Sequence, residues 1–212
     1  MFIELIDLLR CINAHEDTWL VASFQTVSNR FVLEGSLGCP ACSAQYPIHE
    51  GMADFSAGFA VPSCEAERTK ASHNREEHAT RAGAYLEATE PGATIALGGV
   101  WAYAAQELSA MAEVRVLALN APAEVEESPG VGLLRVGSEI PVAAGSLLGV
   151  ALDAWFPAKI VDSAVKAVRP GGRIVGPVTI PAPADLSVLA HDDSYWVAQK
   201  APDIVTISRA SR

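Results

Sequence analysis

Basic residues are scarce in this chain. Its 212 residues hold 15 Lys and Arg against 25 Asp and Glu, for a formal net charge of −10. Phosphate recognition needs clustered cations, so this balance argues against a nucleic-acid surface, and AVRPGGR is the only kind of basic stretch available. A secretory signal is missing as well: the opening MFIELIDLLR carries Glu4 and Asp7 and no basic leading segment. The longest apolar run, VAAGSLLGVALDAWF, is too short to span a bilayer and contains Asp153. No G-x-S-x-G elbow, no H-E-x-x-H, no internal repeat and no low-complexity tract occurs. These absences lead to the expectation of a soluble, cytoplasmic protein without nucleic-acid or membrane contacts. Cysteine is rare too. The four present are, in a reducing compartment, metal ligands or free thiols rather than disulfides.

What the chain does have is apolar residues. They make up 50% of it, with 19% charged, which suits a packed core. Two textures follow one another. Residues 1–60 hold three of the cysteines and short β-like runs. WLVASFQTV and RFVLEGSLG read as strands joined at the polar tip SNR, and FIELIDLLR reads as either a short helix or a strand. A unit this small gains from a staple. Residues 61–90 are polar helix formers, a helical linker. From 91 to 212, strands (TIALGG, EVRVLALN, VGLLRVGS, SLLGVALDAW, RIVGPVTI) alternate with the helical WAYAAQELSAMA and AKIVDSAVKAVRPGG. That alternation predicts an α/β fold with a parallel, doubly wound sheet. DSYWVAQKA and DIVTISRA then read as a closing antiparallel hairpin.

Cys11 and His15, in CINAH, lie four apart, and Cys39 and Cys42, in CPAC, lie three apart, with a hairpin-sized interval between the pairs. Zinc prefers thiolate sulfur and imidazole nitrogen in a tetrahedron, and four protein ligands close a structural site. Two knuckles at the ends of a hairpin can converge on one ion. The expectation is one structural zinc held by Cys11, His15, Cys39 and Cys42. The alternatives are free thiols in a turn with Cys11 buried, a redox C-x-x-C pair, or Glu16 in place of His15. The pair does not open a helix after a strand, which disfavours redox use, and oxygen is the poorer partner among thiolates.

Three features, LIDLLRC, the hairpin, and CPACSAQYPIHEGMADF, resemble the small zinc-ribbon family that activates tRNA and translation-factor methyltransferases, over residues 1–56. The matching positions are Cys39, Cys42, Tyr46, Pro47, Ile48 and Gly51; the departure is CINAH where Cys-Pro-x-Cys is usual. The resemblance implies a protein partner, either a methyltransferase or a second copy of this chain, unless the fused segment fills that role in cis. Residues 75–212 in turn resemble the class I S-adenosylmethionine-dependent methyltransferases, above all at AVKAVRPGGRIV. This implies a mostly parallel seven-stranded Rossmann-like sheet whose last two strands are the closing hairpin.

The cofactor positions depart from that family. Its first strand normally ends in an acidic residue and Asp-x-Gly-x-Gly-x-Gly. Here the stretch is ALGGVWA, with Ala96 in the acidic place, Gly98 keeping the first glycine, and Val100 and Ala102 taking the other two. Glycine lets the backbone approach a ligand, whereas a β-branched Val resists the left-handed conformation and intrudes. Asn120 stands where a ribose-binding carboxylate is usual, and Ser138 at the adenine-contacting place, with Glu139 beside it. Asp153 falls at a substrate-side position.

The expectation is therefore a vestigial cleft of Gly98, Gly99, Val100, Asn120, Ser138 and Glu139 that does not take S-adenosylmethionine, in a non-catalytic pseudo-methyltransferase working through protein contacts. An active enzyme with an atypical cofactor loop is the alternative, and a small-molecule binder reusing the cleft a second. No catalytic residue is assigned. His73 and His78, with Glu76 and Glu77, read as solvated surface, and His191, Asp192 and Asp193 as a polar turn. Cys64 reads as a free thiol, and His49 with Glu50 as a polar cap. Trp101 reads as packing or as a plug of the cleft.

Overall fold

The structure, a computed structural model, describes residues 1–58 and 74–202. It opens with one helical turn, α1 (Ile3–Ile6), followed by β1 (Val21–Ser28), β2 (Phe31–Gly38), β3 (Gln45–His49) and β4 (Met52–Phe55). The β1–β2 tip has Asn29 and Arg30 at φ 48° and 70°, and the β3–β4 tip has Glu50 and Gly51 at 48° and 79°. Two successive left-handed residues give the turn whose twist matches a hairpin, so both connections are tight. The two strands read from WLVASFQTV and RFVLEGSLG are present in antiparallel register, Val21 opposite Gly38 and Ser28 opposite Phe31. β3 and β4 are additions to the sequence reading.

The second segment runs α2 (Arg75–Leu86), β5 (Thr94–Gly98), a 3₁₀ helix (Gly99–Ala104), α3 (Ala105–Ala112), β6 (Arg115–Leu119), β7 (Val131–Val136), β8 (Leu147–Ala151), α4 (Lys159–Ala167), β9 (Val168–Pro177), β10 (Leu186–His191) and β11 (Tyr195–Lys200). β5 and β8 are buried along their whole length. Parallel strands covered on both faces carry continuous apolar runs, which is why TIALG and LLGVA look as they do.

All eleven strands form one sheet, in the order β1-β2-β3-β4-β7-β6-β5-β8-β9-β11-β10. The segments 1–58 and 74–202 therefore share a sheet, joined where β4 pairs in parallel with β7, Met52 opposite Leu133 and Phe55 opposite Val136. The part from β7 onward has parallel pairs up to β9, with β11 inserted antiparallel between β9 and β10. It is a large mixed α/β sheet.

Both faces are covered, as double winding requires. On one, α2, the 3₁₀ helix and α3 pack Ala79, Ala82, Leu86, Trp101 and Leu108 onto the sheet. On the other, Ile160, Val161 and Ala164 of α4 share a core with Met1, Leu5, Ile6 and Leu9. The connections β6–β7 and β7–β8 contain no helix, and the N-terminal segment covers the sheet there instead. Leu5 lies against Gly132 of β7, where a Cβ would stand 2.6 Å from Leu5 Cδ1. Leu9 bridges to Val142, and the Arg10 N–H donates to the Pro141 carbonyl at 2.9 Å.

Several expectations shift. The closing hairpin pairs Leu186–His191 with Tyr195–Lys200, one strand earlier than expected, and DIVTISRA lies outside the described residues. The helix in AKIVDSAVKAVRPGG ends at Ala167, and Arg-Pro-Gly-Gly is already part of β9, which has a register irregularity opposite Leu147–Gly149. Of the linker, Arg75–Leu86 is helical, while Cys64 and His73 lie outside the described residues. His78 is not solvated surface: its ring meets Trp101 edge-on at 6.2 Å, and burial lowers its pKa.

Candidate metal centre and cofactor crevice

Two loops bring the Cys/His quartet together. After β2, Cys39 N–H donates to the Ala44 carbonyl at 2.8 Å and Ser43 N–H to the Cys39 carbonyl at 2.9 Å, with Ser43 left-handed at φ 59°. This tight knuckle turns Cys39 and Cys42 the same way. The loop after α1 presents Cys11 and His15 to them. The four ligand atoms all lie within 4.8 Å of one another. Cys11 and Cys42 sulfurs are 3.6 Å apart, and Cys39 Sγ is 3.3 Å from His15 Nε2. A zinc tetrahedron with bonds of about 2.3 Å to sulfur requires ligand separations of about 3.8 Å, so the donor set and its spacing fit the ion.

The surroundings prepare each ligand. His15 Nδ1 is 2.7 Å from the Glu16 carbonyl, a contact that requires the proton on Nδ1 and leaves the Nε2 lone pair facing Cys39. Cys42 receives hydrogen bonds from the Ala44 backbone and from Asn13 Nδ2 at 3.2 Å, which bring its pKa down to about 6. It is therefore largely thiolate at neutral pH. Burial pushes the Cys11 thiol up. Tyr46, itself held protonated by burial, donates its O–H to Cys11 Sγ at 3.1 Å and accepts the Ile12 N–H at 3.3 Å. Asn13 and Tyr46 thus orient the ligands from outside. Tyr46 was visible in the sequence only as part of a family pattern; Asn13 gave no signal.

The crevice at the carboxyl ends of β5 and β8 is where open parallel sheets bind ligands. The sequence places Gly98, Gly99 and Val100 there, and the structure puts Asp153 and Phe156 on top of them. Asp153 is 1% exposed; its Oδ2 accepts the Val100 N–H at 2.8 Å and its Oδ1 the Trp155 N–H at 3.0 Å. Gly99 has φ +61°, and a Cβ there would overlap the Asp153 carboxylate. A Cβ on Gly98 would stand 2.6 Å from Phe156 Cε2. Asp153 is a cap on the 3₁₀ helix rather than a substrate-side group. Phe156, which sequence reasoning passed over, is the side chain against Gly98; an aromatic residue just after the fourth parallel strand, in DAWFP, was the available signal.

The other cleft positions are engaged elsewhere. Asn120, left-handed at φ 50°, donates from Nδ2 to the Val136 carbonyl at 3.0 Å, and its Oδ1 accepts the Val136 N–H at 2.8 Å. Its amide stitches the end of β6 to the end of β7. Glu139 pairs with Lys159 at the start of α4, 3.0 Å away, and Ser138 before it is half-buried. Trp101 is packing: it is 1% exposed and meets Tyr195 at 4.9 Å. A separate open groove of about 1340 Å³ runs from Asn13 and Tyr46 across Met52 and Leu133 to Asn120.

No family model matches this sequence. No curated protein matches it either.

Solved structures do. A SAM-dependent methyltransferase from Aquifex aeolicus is similar over 65% of this chain and 97% of its own, at 12% identity and a TM-score of 0.45. Geranyl diphosphate methyltransferase in complex with SAM is similar over 57% of this chain and 59% of its own, at 15% identity and a TM-score of 0.42. The [4+2]-cyclase SpnF is similar over 48% and 44%, at 10% identity and a TM-score of 0.41. The chain thus spans about half the length of the last two. Among the described residues no helix is long and apolar enough to cross a membrane.

Proposed function

We propose that this chain is a non-catalytic, methyltransferase-like protein in which a zinc-bearing ribbon is built into the sheet of its own Rossmann-like unit, and that it acts through protein contacts. The observation that supports the reading is the close approach of two side chains to the glycines after β5. Asp153 and Phe156 stand over Gly98 and Gly99, and Asp153 uses the Val100 amide that a ligand would otherwise meet. Ala96 and Asn120 replace the carboxylates expected from the family resemblance, and Asn120 has both amide atoms committed to β7. Charge-assisted hydrogen bonds contribute roughly 1.5–3 kcal/mol each, and micromolar affinity amounts to only about 8 kcal/mol. Losing two of them and adding a steric block removes most of it.

Zinc would be held by Cys11, His15, Cys39 and Cys42 and would supply structure. Four protein ligands leave no open coordination position for chemistry. The ribbon's last strand adds to the sheet edge at β7, so the apolar face that a separate ribbon would cover in a partner is here covered in cis.

The test is calorimetric titration of the zinc-loaded, cooperatively melting protein with S-adenosylmethionine and S-adenosylhomocysteine. Silence is expected. Saturable micromolar heat with either compound would overturn the non-catalytic reading and favour an active methyltransferase with an unusual loop.

A further inference from the structure

The eleven-stranded sheet begins on β1, and no described strand pairs with its outer edge. The segment Thr18–Ser28, TWLVASFQTVS, contains no ionisable side chain, no proline and no glycine. Edge strands are ordinarily blunted by lysines, prolines, short length or bulges. β1 is eight residues long and carries only the last of these, a bulge at Phe24–Thr26. It is also apolar where it faces water: Val21, Phe24 and Val27 are 63%, 40% and 48% exposed.

The arrangement of these residues is symmetric. Val21 and Val27 lie three positions either side of Phe24, Ser23 mirrors Gln25, and Ala22 mirrors Thr26. Antiparallel pairing about a two-fold axis at Phe24 sets that ring against its own copy and each Val21 against the partner's Val27. Aromatic and β-branched cross-strand pairs are the favourable kind. The first charges beyond the neutral stretch are Asp17 at one end and Arg30 at the other, so the same axis brings Asp17 of each copy to the end occupied by Arg30 of the other. Arg30 is ion-paired with Glu4 of its own chain, so what lets two copies of net charge −10 approach here is the neutral strand between these ends.

We propose that β1 is a docking edge for a second copy of this chain, paired antiparallel across a two-fold axis at Phe24. This does not depend on how the cofactor crevice is read, and the two stand or fall separately.

Sedimentation equilibrium of the full chain across the micromolar range reads the mass directly, and a dimer has twice the 22.3 kDa of one chain. Val21→Glu and Val27→Lys should each weaken dimerisation by about tenfold or more, because each change enters the two-fold contact twice. The double variant Val21→Glu/Val27→Lys should restore the dimer, since each new acid then faces a new base. In the wild type, hydrogen exchange of the Val21–Val27 amides should slow as concentration rises, a readout that needs no variant. A monomeric wild type overturns the proposal, as does a dimer indifferent to both single changes or one that the double variant fails to restore. Open-ended oligomers broken by Val188→Lys, on the exposed β10 edge, would overturn it in favour of head-to-tail pairing.

Discussion

At the residue scale the consequential groups are few, and each has a stated neighbour. Cys39 is buried and faces His15 Nε2. Metal analysis is expected to find about one zinc per chain, and Cys39→Ser is expected to lose both the metal and solubility. Zinc binding amounts to about 10–16 kcal/mol in small zinc peptides, far more than so small a ribbon segment's own burial can replace. A stable, metal-free wild-type preparation would refute the site. Asp153 gives a second prediction. Its carboxylate satisfies the buried Val100 amide and the part-buried Trp155 amide, so Asp153→Ala leaves both N–H groups without it and should cost about 1–3 kcal/mol in urea unfolding. An unchanged midpoint would show that the cap is dispensable.

At the element scale, the central fact is that α1 and the loop after it replace crossover helices. β6–β7 and β7–β8 connect without a helix, and parallel strands need both faces covered. Met1, Leu5, Ile6 and Leu9 supply that cover from the other end of the chain. Leu5 is fully buried over Gly132. Leu5→Ala should therefore destabilise the whole sheet by about 2–5 kcal/mol in one cooperative transition, because the cavity opens between the ribbon segment and β7. Separate melting of a ribbon unit, with the rest unchanged, would contradict the shared core. β4 serves the same junction from within the sheet, giving β7 a parallel neighbour instead of an exposed edge.

At the scale of the whole molecule, pH dependence follows from exposed pairs whose contributions are individually small. Hydrogen bonds from His49 and from the Glu50 backbone hold Glu34 below the usual carboxylate range, and Glu34 in turn raises His49. The lowered Glu34 contributes stability that is lost as pH falls through its folded-state pKa. The raised His49 contributes stability that is present below its unfolded value of about 6.5 and lost as pH rises through its folded value. Their pairing therefore acts only in the window between. Glu90, lowered by Arg169, and Asp192, lowered by the Ser194 and Tyr195 amides, add to the acid side. Thermal melts across pH should show stability falling below about pH 4. His49→Gln should differ from wild type in the mildly acidic window and converge with it at both ends; a constant offset would point to packing instead of charge.

Some of this was legible in the residues themselves. The metal quartet was, because each ligand pair sits within five residues, and a knuckle is a local structure. So were the buried strands between Thr94 and Pro177, since a strand buried on both faces must be apolar throughout; the helix-free connections around β7 departed from the expected alternation. The replaced residues Ala96, Val100 and Asn120 could be read from the sequence, though the side chains that stand against Gly98 and Gly99 could not. Phe156 and Asp153 come from a different strand end, and the only sign of them in the sequence was DAWFP just after the fourth parallel strand. The halfway burial of His78 escaped notice for the same reason, as Trp101 reaches it from another element. The parallel pairing of Met52–Phe55 with Val131–Val136 was decided by the tertiary structure alone. Those strands are far apart in the chain, and only the need to cover β7 on its edge and faces, with apolar surface from residues 1–55, selects that partner over any other.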